Sequence, residues 1–238
     1  LYCFRERERI LDIFEQVCGA RLTYNYYRIG GLSADIPEGF QQKVKDFINY
    51  LKPKLKEYDD LITYNVILLV RTKGIGVLTK EKALNYAITG PNLRASGVAF
   101  DLRKEEPYSI YPRFEFEVPT AVSVDSWDRF KLRMEEITQS LRIIEQAIDN
   151  IPQGDWTAKL PKMLKVPAGE IYFRSESPRG ELGFYLISDG STKPFRLKCR
   201  APSFSNLAVI PELARGMKVA DVIAILGSLD IVLGEIDR

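Results

Sequence analysis

The chain has 238 residues, 45% of them hydrophobic, with 34 Lys and Arg against 32 Asp and Glu for a formal charge of +2. That length buries a core as one domain, or as a domain with a satellite, and the balanced charge argues for neither nucleic acid nor a membrane-surface stripe. With no histidine in the sequence, the commonest metal ligand, the commonest near-neutral acid and base, and every Ser/His/Asp or Cys/His set are excluded together.

Cys3, Cys18 and Cys199 are widely spaced and form no CxxC pair, which excludes a zinc site or a complete cysteine-ligated cluster and fits reduced thiols in a cytosolic compartment. No apolar run approaches the roughly 18–20 residues of a bilayer span, and no signal-peptide pattern opens the chain. The first residue is not Met and already reads as helical, so a fragment of a longer protein is expected.

In chain order, residues 1–18 read as a helix with Ile10, Ile13, Phe14 and Val17 on one face, ended by Gly19. Its charged run, Arg5 to Arg9, is expected to be a solvated face. Tyr24, Tyr26, Tyr27 and Arg28 follow, then a turn at Gly30-Gly31; tyrosines beside an arginine fit a packed loop with a cation–π contact. From Pro37 the spacing of Phe40, Val44, Phe47, Ile48, Leu51 and Leu55 predicts a second helix. Asp35 is its expected N-cap, Pro37 its first-turn proline, and Pro53 its kink or end. Residues 61–70 are apolar enough for a buried helix or a strand, and periodicity does not decide. The Gly74-Ile75-Gly76 that follows has Thr79 where a dinucleotide fingerprint needs its third glycine, so it reads as a plain turn.

Residues 89–114 are rich in Gly, Pro, Asn and Ser and predict irregular chain with short helical turns. There Arg94, Asp101 and Arg103 either pair to fix the loop or stand exposed. Glu115 and Glu117 flanking Phe116 predict a short strand. The strongest helix comes next, with Trp127, Phe130, Met134, Ile137, Leu141, Ile144 and Ile148 as a bundle-type seam behind Asp125 and Asp128, which suit the helix dipole. Buried throughout, that seam contributes on the order of 10–20 kcal/mol before entropy, and the helix reads as scaffold. After a linker-like stretch from Pro152 to Pro167, residues 170–177, 180–190 and 193–200 alternate as strands of a small antiparallel sheet, with a hairpin turn at Ser188-Asp189-Gly190-Ser191. Short helices are expected around residues 207–215 and 219–226.

The chain closes on GSLDIVLGEIDR, which sets Ile231, Val232, Leu233 and Ile236 among Asp230, Glu235, Asp237 and Arg238. Aliphatic side chains at that density predict a tail docked in a crevice, carrying carboxylates and a guanidinium into low dielectric, where they pair or shift.

Together with Ser175 to Leu226, this tail closely resembles the carboxyl-terminal end of the D-type, 49-kDa-type subunit of respiratory complex I, NADH:quinone oxidoreductase. That family is related to the large subunit of nickel–iron hydrogenases. ARLTYNYYRIGG (Ala20 to Gly31), TGPNLRASGVAFDLRK (Thr89 to Lys104) and RMEEITQSLRIIEQ (Arg133 to Gln146) extend the resemblance over essentially the whole chain, without the family's amino-terminal portion. It implies a mainly α fold with a small antiparallel sheet (α+β), a helix bundle of the hydrogenase large-subunit type, and a helix at residues 61–70. The bundle would occupy 1–152, and the sheet, short helices and docked tail 153–238, as parts of one family domain.

The resemblance also implies a function: a subunit of a proton-translocating, quinone-reducing, membrane-associated translocase of electron transport. The chain would form part of the quinone chamber beside an iron–sulfur cluster held by a partner subunit. It would bind no cofactor itself, quinone would be the substrate, and NAD would be used by the whole complex. The implied partners are the cluster-bearing subunit, a C-type partner subunit and a membrane-arm subunit at the quinone entrance. The implied place is the cytoplasmic face of the inner (plasma) membrane. Hydrogenase large subunits end in a cysteine pair that holds nickel and iron; the corresponding end here is aliphatic and acidic, an apolar slot suited to quinone. Asp230, Val232, Glu235 and Arg238 match positions bordering the chamber or its charge network; the competing reading is an ion-pair cluster pinning the terminus. Thr23, Tyr24 and Arg28 match the loop near the cluster. Many members carry a histidine where this chain has Thr23 or Tyr24, and its absence alters redox-linked protonation, whereas a fixed charge at Arg28 favours a reduced cluster. The family's headgroup histidine and tyrosine belong to the portion not present, so this stretch alone would not reduce quinone. The alternative is a structural scaffold subunit of a related membrane-bound hydrogenase-like or ferredoxin-linked complex.

Overall fold

The computed structural model describes Tyr2 to Asp237; Leu1 and Arg238 lie outside the described residues. In order, the elements are α1 (Tyr2–Cys18), β1 (Tyr27–Arg28), β2 (Gly31–Leu32), α2 (Phe40–Tyr58), a π turn (Asp59–Thr63), α3 (Val66–Thr72), α4 (Lys80–Asn85), α5 (Pro91–Arg94) and α6 (Leu102–Glu105). A 3-10 turn (Tyr111–Arg113), α7 (Ser126–Asp149), β3 (Gly169–Ser177), β4 (Gly180–Ser188), β5 (Arg196–Arg200), α8 (Pro202–Leu207), α9 (Ile210–Ala214), α10 (Val219–Leu229) and α11 (Leu233–Ile236) follow. The fold is mainly helical with small antiparallel sheets; of residues 61–70, which the resemblance implies as a helix, 61–63 end the π turn and 66–70 open α3, with a break at Tyr64-Asn65. Two compact units form, residues 2–57 with Leu141–Leu164, and Tyr58–Ser140 with residues 165–237.

In the first unit, Leu11, Val44, Ile48, Leu51, Leu141 and Ile148 are buried. Helix α1 stops at Gly19, whose φ of 71° suits a residue without Cβ and whose N–H donates to the Glu15 carbonyl at 2.8 Å. The charged run is not wholly solvated: Glu6 is 4% exposed and accepts from Arg5 Nε at 3.0 Å. Helix α2 starts three residues later than Pro37, after a turn closed by Phe40 N–H to the Pro37 carbonyl at 3.1 Å. Asp35 does not cap it, because its Oδ1 accepts from Ile36 N–H at 2.8 Å instead. Pro53 does not end it either, since the helix runs on to Tyr58. Lys45 to Asp149 at 2.6 Å and Gln41 Nε2 to the Ile148 carbonyl at 3.3 Å tie α2 to the last turns of α7.

In the second unit, Leu78, Ala83, Ile88, Leu93, Val209, Leu213, Ile225 and Leu229 form the core, joining α4, α5, α9 and α10. Helix α3 is capped by Asn65, whose side chain accepts from Ile67 N–H, yet it is not buried: Val66, Ile67 and Val70 are 72%, 75% and 71% exposed. Gly74 and Gly76 form a left-handed turn, and Gly74 N–H donates to Asp125 Oδ2 at 2.8 Å. The Glu115–Glu117 stretch is not a strand; Phe116 is buried, but Glu117 N–H goes to Gln139 Oε1 at 3.0 Å, so no ladder forms.

The sheet is antiparallel in the order β3-β4-β5. Its tight turn is Pro178-Arg179, between the paired Ser177 and Gly180. The expected turn at Ser188 to Ser191 opens into a longer connection, in which Ser191 N–H donates to Asp189 Oδ1 at 2.9 Å.

Helix α7 departs most from its sequence reading. Ile137 and Ile144 are 37% and 40% exposed, whereas Asp128, Arg129 and Leu132 are buried. The seam is apolar where Leu141 and Ile148 lie, but the first turns bury a polar face instead.

Candidate functional site

Leu229, the last residue of α10, is fully buried, and the chain then turns through Asp230 at φ 52°, ψ 52°. Aspartate tolerates this left-handed cap better than most side chains. Arg179 Nε donates to the Asp230 carbonyl at 2.9 Å, and Arg179 Nη2 lies 3.6 Å from Asp230 Oδ1. Arg133 Nε lies 3.9 Å from Oδ2 on the other side. The carboxylate is 45% exposed, so water weakens this attraction well below its buried value.

Each arginine is placed by a different element. Arg179 sits at the tip of the β3–β4 hairpin, where the backbone passes hard against α5. A Cβ on Gly90 (φ 68°) would stand 2.4 Å from Gly180 Cα, and one on Gly180 would stand 2.8 Å from Gly90 N. Two glycines in register therefore let the hairpin tip reach Asp230. Arg133 comes from α7: its Nη1 donates to the Ser228 and Arg129 carbonyls at 2.7 Å each, and its Nη2 to Asn92 Oδ1 at 3.0 Å. Its Nε has no hydrogen-bond partner. Asn92 in turn donates to the Leu229 carbonyl at 3.0 Å, closing the loop back to α10.

One turn earlier on α7, Arg129 is 1% exposed and donates to Ser228 Oγ at 2.9 Å, Gly76 O at 2.9 Å and Ser126 Oγ at 2.8 Å. Burial, helped by the charge of Arg133, pushes its guanidinium down to about 10. Burial likewise lowers Arg133, against the pull of Asp230.

One turn later on α7, Glu136 Oε1 accepts from Arg94 Nε at 2.7 Å. Arg94 is 2% exposed and also donates from Nη1 to Glu176 Oε1 at 2.8 Å and the Phe100 carbonyl at 3.0 Å, with Asp101 at 3.6 Å. Arg103 closes on Asp101 through Nε at 2.9 Å and Nη2 at 2.6 Å. The pairing reading of Arg94, Asp101 and Arg103 is therefore the observed one. Burial alone would lower Arg94, but Glu136, Glu176 and Asp101 outweigh it and hold it above its ordinary value.

The tail is ordered against the unit and only partly sunk into it. Ile231 packs on the core and Ile236 is half-buried, while Val232 and Leu233 are 38% and 74% exposed. Glu235 Oε2 accepts from Ser203 N–H at 3.2 Å and from Ser203 Oγ, and Val232 N–H donates to the same hydroxyl at 3.3 Å. Glu235 thus pins α11 to the start of α8, away from the arginines around Asp230. Arg238 lies outside the described residues.

Thr23, Tyr24 and Arg28 belong to the first unit. Thr23 has φ 55° and donates to the Leu22 carbonyl at 2.7 Å; Tyr24 donates to the Arg21 carbonyl at 2.8 Å and packs edge-on against Phe14. Arg28 is exposed on β1, opposite Gly31.

Sequence reasoning missed Arg129, Arg133, Asn92 and Arg179. The available signal was on α7, where Arg129, Arg133 and Glu136 recur at steps of four and three and so share one face. Among the described residues, no group of three or more Cys, Asp or Glu is arranged to hold a metal ion.

The model of the family described as "Respiratory-chain NADH dehydrogenase, 49 Kd subunit" matches residues 1–165 and 158–238. A Bacillus mycoides (strain KBAB4) protein, named as the D subunit of NADH-quinone oxidoreductase, is 52% identical over 238 residues, 100% of this chain and 65% of that protein. Proteins of the same name from Desulforamulus reducens and Bacillus anthracis are 54% and 51% identical, again over 100% of this chain and 65% of their own length. The chain thus spans about 65% of the length of the curated relatives it matches.

Proposed function

The chain belongs to the family of the 49 Kd subunit of respiratory-chain NADH dehydrogenase, and from that premise we propose that it serves in a proton-translocating NADH:quinone oxidoreductase, as part of the wall of the quinone chamber. In this reading an iron–sulfur cluster of a partner subunit supplies electrons, and NAD is consumed elsewhere in the complex. The cluster-bearing subunit, a C-type partner subunit and a membrane-arm subunit are its neighbours. The assembly sits peripherally on the cytoplasmic face of the membrane. No helix among the described residues is long and apolar enough to cross a bilayer, which is compatible with that place.

Quinone reduction adds two electrons and two protons to one ring, so its chamber needs groups that hold charge and proton near an apolar wall. Asp230 is the observation that carries this reading: a half-exposed carboxylate beside two guanidiniums, on a strained turn at the edge of the core. Arg133, whose Nε has no other partner, sets the field at that carboxylate. Val232, two residues further on and open to its surroundings, supplies apolar wall. Glu235 acts one step back, fixing the tail through Ser203. Thr23, Tyr24 and Arg28 would face the cluster, with Arg28 as the fixed positive charge.

The test is Asp230→Asn in the complete complex. Quinone reduction is expected to fall about tenfold or more, while NADH oxidation by an artificial acceptor that bypasses quinone stays at the wild-type level. Unchanged quinone turnover in a fully assembled complex would refute the assignment.

A further inference from the structure

We propose that Arg129 is a positioning residue for Asp230: buried on α7, it holds the hydroxyl of Ser228 and with it the last turn of α10, so that the Asp230 carboxylate stays between Arg133 and Arg179. The hold on Ser228 stands by itself; its effect on quinone reduction rests on the quinone-chamber reading of Asp230. The motive is how loosely the carboxylate itself is held. Its oxygens lie 3.6 Å from Arg179 Nη2 and 3.9 Å from Arg133 Nε, beyond hydrogen-bond reach. Its place therefore follows from the backbone that carries it.

That backbone is gripped residue by residue. The carbonyls at the end of a helix lack partners within it, and here three in a row accept from side chains of other elements. Ser228 O takes Arg133 Nη1 at 2.7 Å, Leu229 O takes Asn92 Nδ2 at 3.0 Å, and Asp230 O takes Arg179 Nε at 2.9 Å. Arg129 adds a hold on a side chain, donating from Nε to Ser228 Oγ at 2.9 Å. The Ser228 hydroxyl gives its own proton to the Ile225 carbonyl at 2.7 Å, which leaves its oxygen to face Arg129 as an acceptor. Alanine at this position removes the acceptor; threonine keeps it.

Arg129 acts as a fixed peg because its other end is anchored. Its Nη2 donates to Gly76 O at 2.9 Å and to Ser126 Oγ at 2.8 Å, and the Ser126 hydroxyl donates in turn to the Ile75 carbonyl at 2.8 Å. A Cβ on Gly76 (φ 61°) would stand 3.0 Å from that Nη2 and 2.7 Å from Ile225 Cγ1, so glycine is what lets the turn close on both. All three acceptors of Arg129 are uncharged. The carboxylates on its own helix turn serve backbone N–H groups instead, Asp125 those of Gly74 and Asp128, and Asp128 that of Val124. Burial brings the guanidinium down to about 10, which leaves it charged at neutral pH. A buried cation with no bonded carboxylate is a poor device for stability alone. What it supplies is direction, since a rigid guanidinium aims donors at the Gly76 turn and at α10 together.

The test is Ser228→Ala in the complete complex, which removes one hydrogen bond and leaves Arg129 its other anchors; Arg129→Met would break three at once and confound folding with function. Amide hydrogen exchange across Leu229 to Val232, read by mass spectrometry, should quicken about fivefold. Quinone reduction should fall about fivefold as the carboxylate loses its fixed place. Ser228→Thr, which keeps the hydroxyl, should return both toward the wild-type level. In the Asp230→Asn background, Ser228→Ala should lower quinone reduction no further, because the carboxylate it serves is gone. Unchanged exchange in Ser228→Ala, or a threonine variant that exchanges as fast as the alanine one, overturns the hold. An equal fall in turnover with and without the Asp230 carboxylate overturns the action through Asp230. Quickened exchange in a complex whose quinone turnover is indifferent to Asp230→Asn keeps the hold and removes the quinone-chamber reading instead.

Discussion

Arg94 is the residue whose loss the second unit tolerates least. Replacing it with Met leaves Glu136, Glu176 and Asp101 facing one another in a site where Arg94 is 2% exposed. Breaking a buried pair from one side typically costs about 3–5 kcal/mol, and the loss should be visible in thermal unfolding of the assembled protein. Lysine should recover only part of it, because one ammonium cannot serve Nε and Nη1 partners in different directions. The pH dependence has a definite sign. In the wild type the guanidinium of Arg103 overcomes the upward push of burial and holds Asp101 below its usual range. Its stabilising contribution is therefore present above the unfolded value, about 3.9, and lost as pH falls through the lower folded value. In Arg94→Met the crowded carboxylates bind protons more readily folded than unfolded, so acid should restore stability and neutral pH should remove it. A variant equally unstable at both ends would contradict the account. The sequence exposed the candidates Arg94, Asp101 and Arg103 but not their burial, because a Gly- and Pro-rich loop carries no periodicity from which an inward face can be read.

Among the elements, the close passage between α5 and the β3–β4 hairpin decides whether the arginine site forms. Gly90 and Gly180 touch backbone to backbone, and an added Cβ on Gly90 would also lie 2.6 Å from the Arg179 carbonyl. Neither neighbour can swing aside as a side chain would, so Gly90→Ala should destabilise the unit well beyond the roughly 1 kcal/mol of an ordinary backbone penalty. It should also free Arg179 from the Asp230 carbonyl. Faster amide hydrogen exchange at Gly180 to Leu182 than in the core strand residues checks this, and unchanged exchange with unchanged stability would refute it. The strands themselves were legible, since residues 169–177, 180–188 and 196–200 alternate as a sheet should. So was the two-residue connection at Pro178-Arg179, which those bounds leave between the strands; the hairpin turn expected at Ser188 to Ser191 was not, because β5 starts only at Arg196 and the stretch between is a longer connection. Helix α7 was legible as a helix and misleading as a surface. Its apolar seam holds where Leu141 and Ile148 are buried, but in the first turns the partners are Gly76, Ser228 and Asn92, which ask for hydrogen bonds and draw the arginine face inward. A periodicity argument assumes that the buried face is the oily one, and a polar site inside a bundle breaks that assumption.

At the scale of the whole molecule, the surface is unlike that of a protein built to stand alone. On the second unit, Val66, Ile67 and Val70 of α3 and Val219 and Ile223 of α10 are each more than 70% exposed on helices in mutual contact, and Arg71 joins Asp221 at 3.2 Å between them. One face of the sheet similarly shows Ile171 at 59%, Phe173 at 53% and Leu197 at 55% exposure, with Leu186 of the central strand paired to both Ile171 and Leu197. Apolar faces of this kind are the mark of surfaces that meet other chains, and uncovered they drive association. The isolated chain should therefore self-associate, with little sensitivity to salt, because apolar contact and not charge is the cause. The double variant Val70→Glu with Ile223→Glu separates folding from assembly. Both side chains are more than 70% exposed, so helix content and unfolding temperature should stay near wild type while light scattering falls toward a smaller species. The same variant should be incorporated poorly when the complete complex is assembled, since each glutamate would have to be buried without a partner at a cost of several kcal/mol. Wild-type incorporation together with undiminished self-association would show that this face is solvent-facing in the assembly.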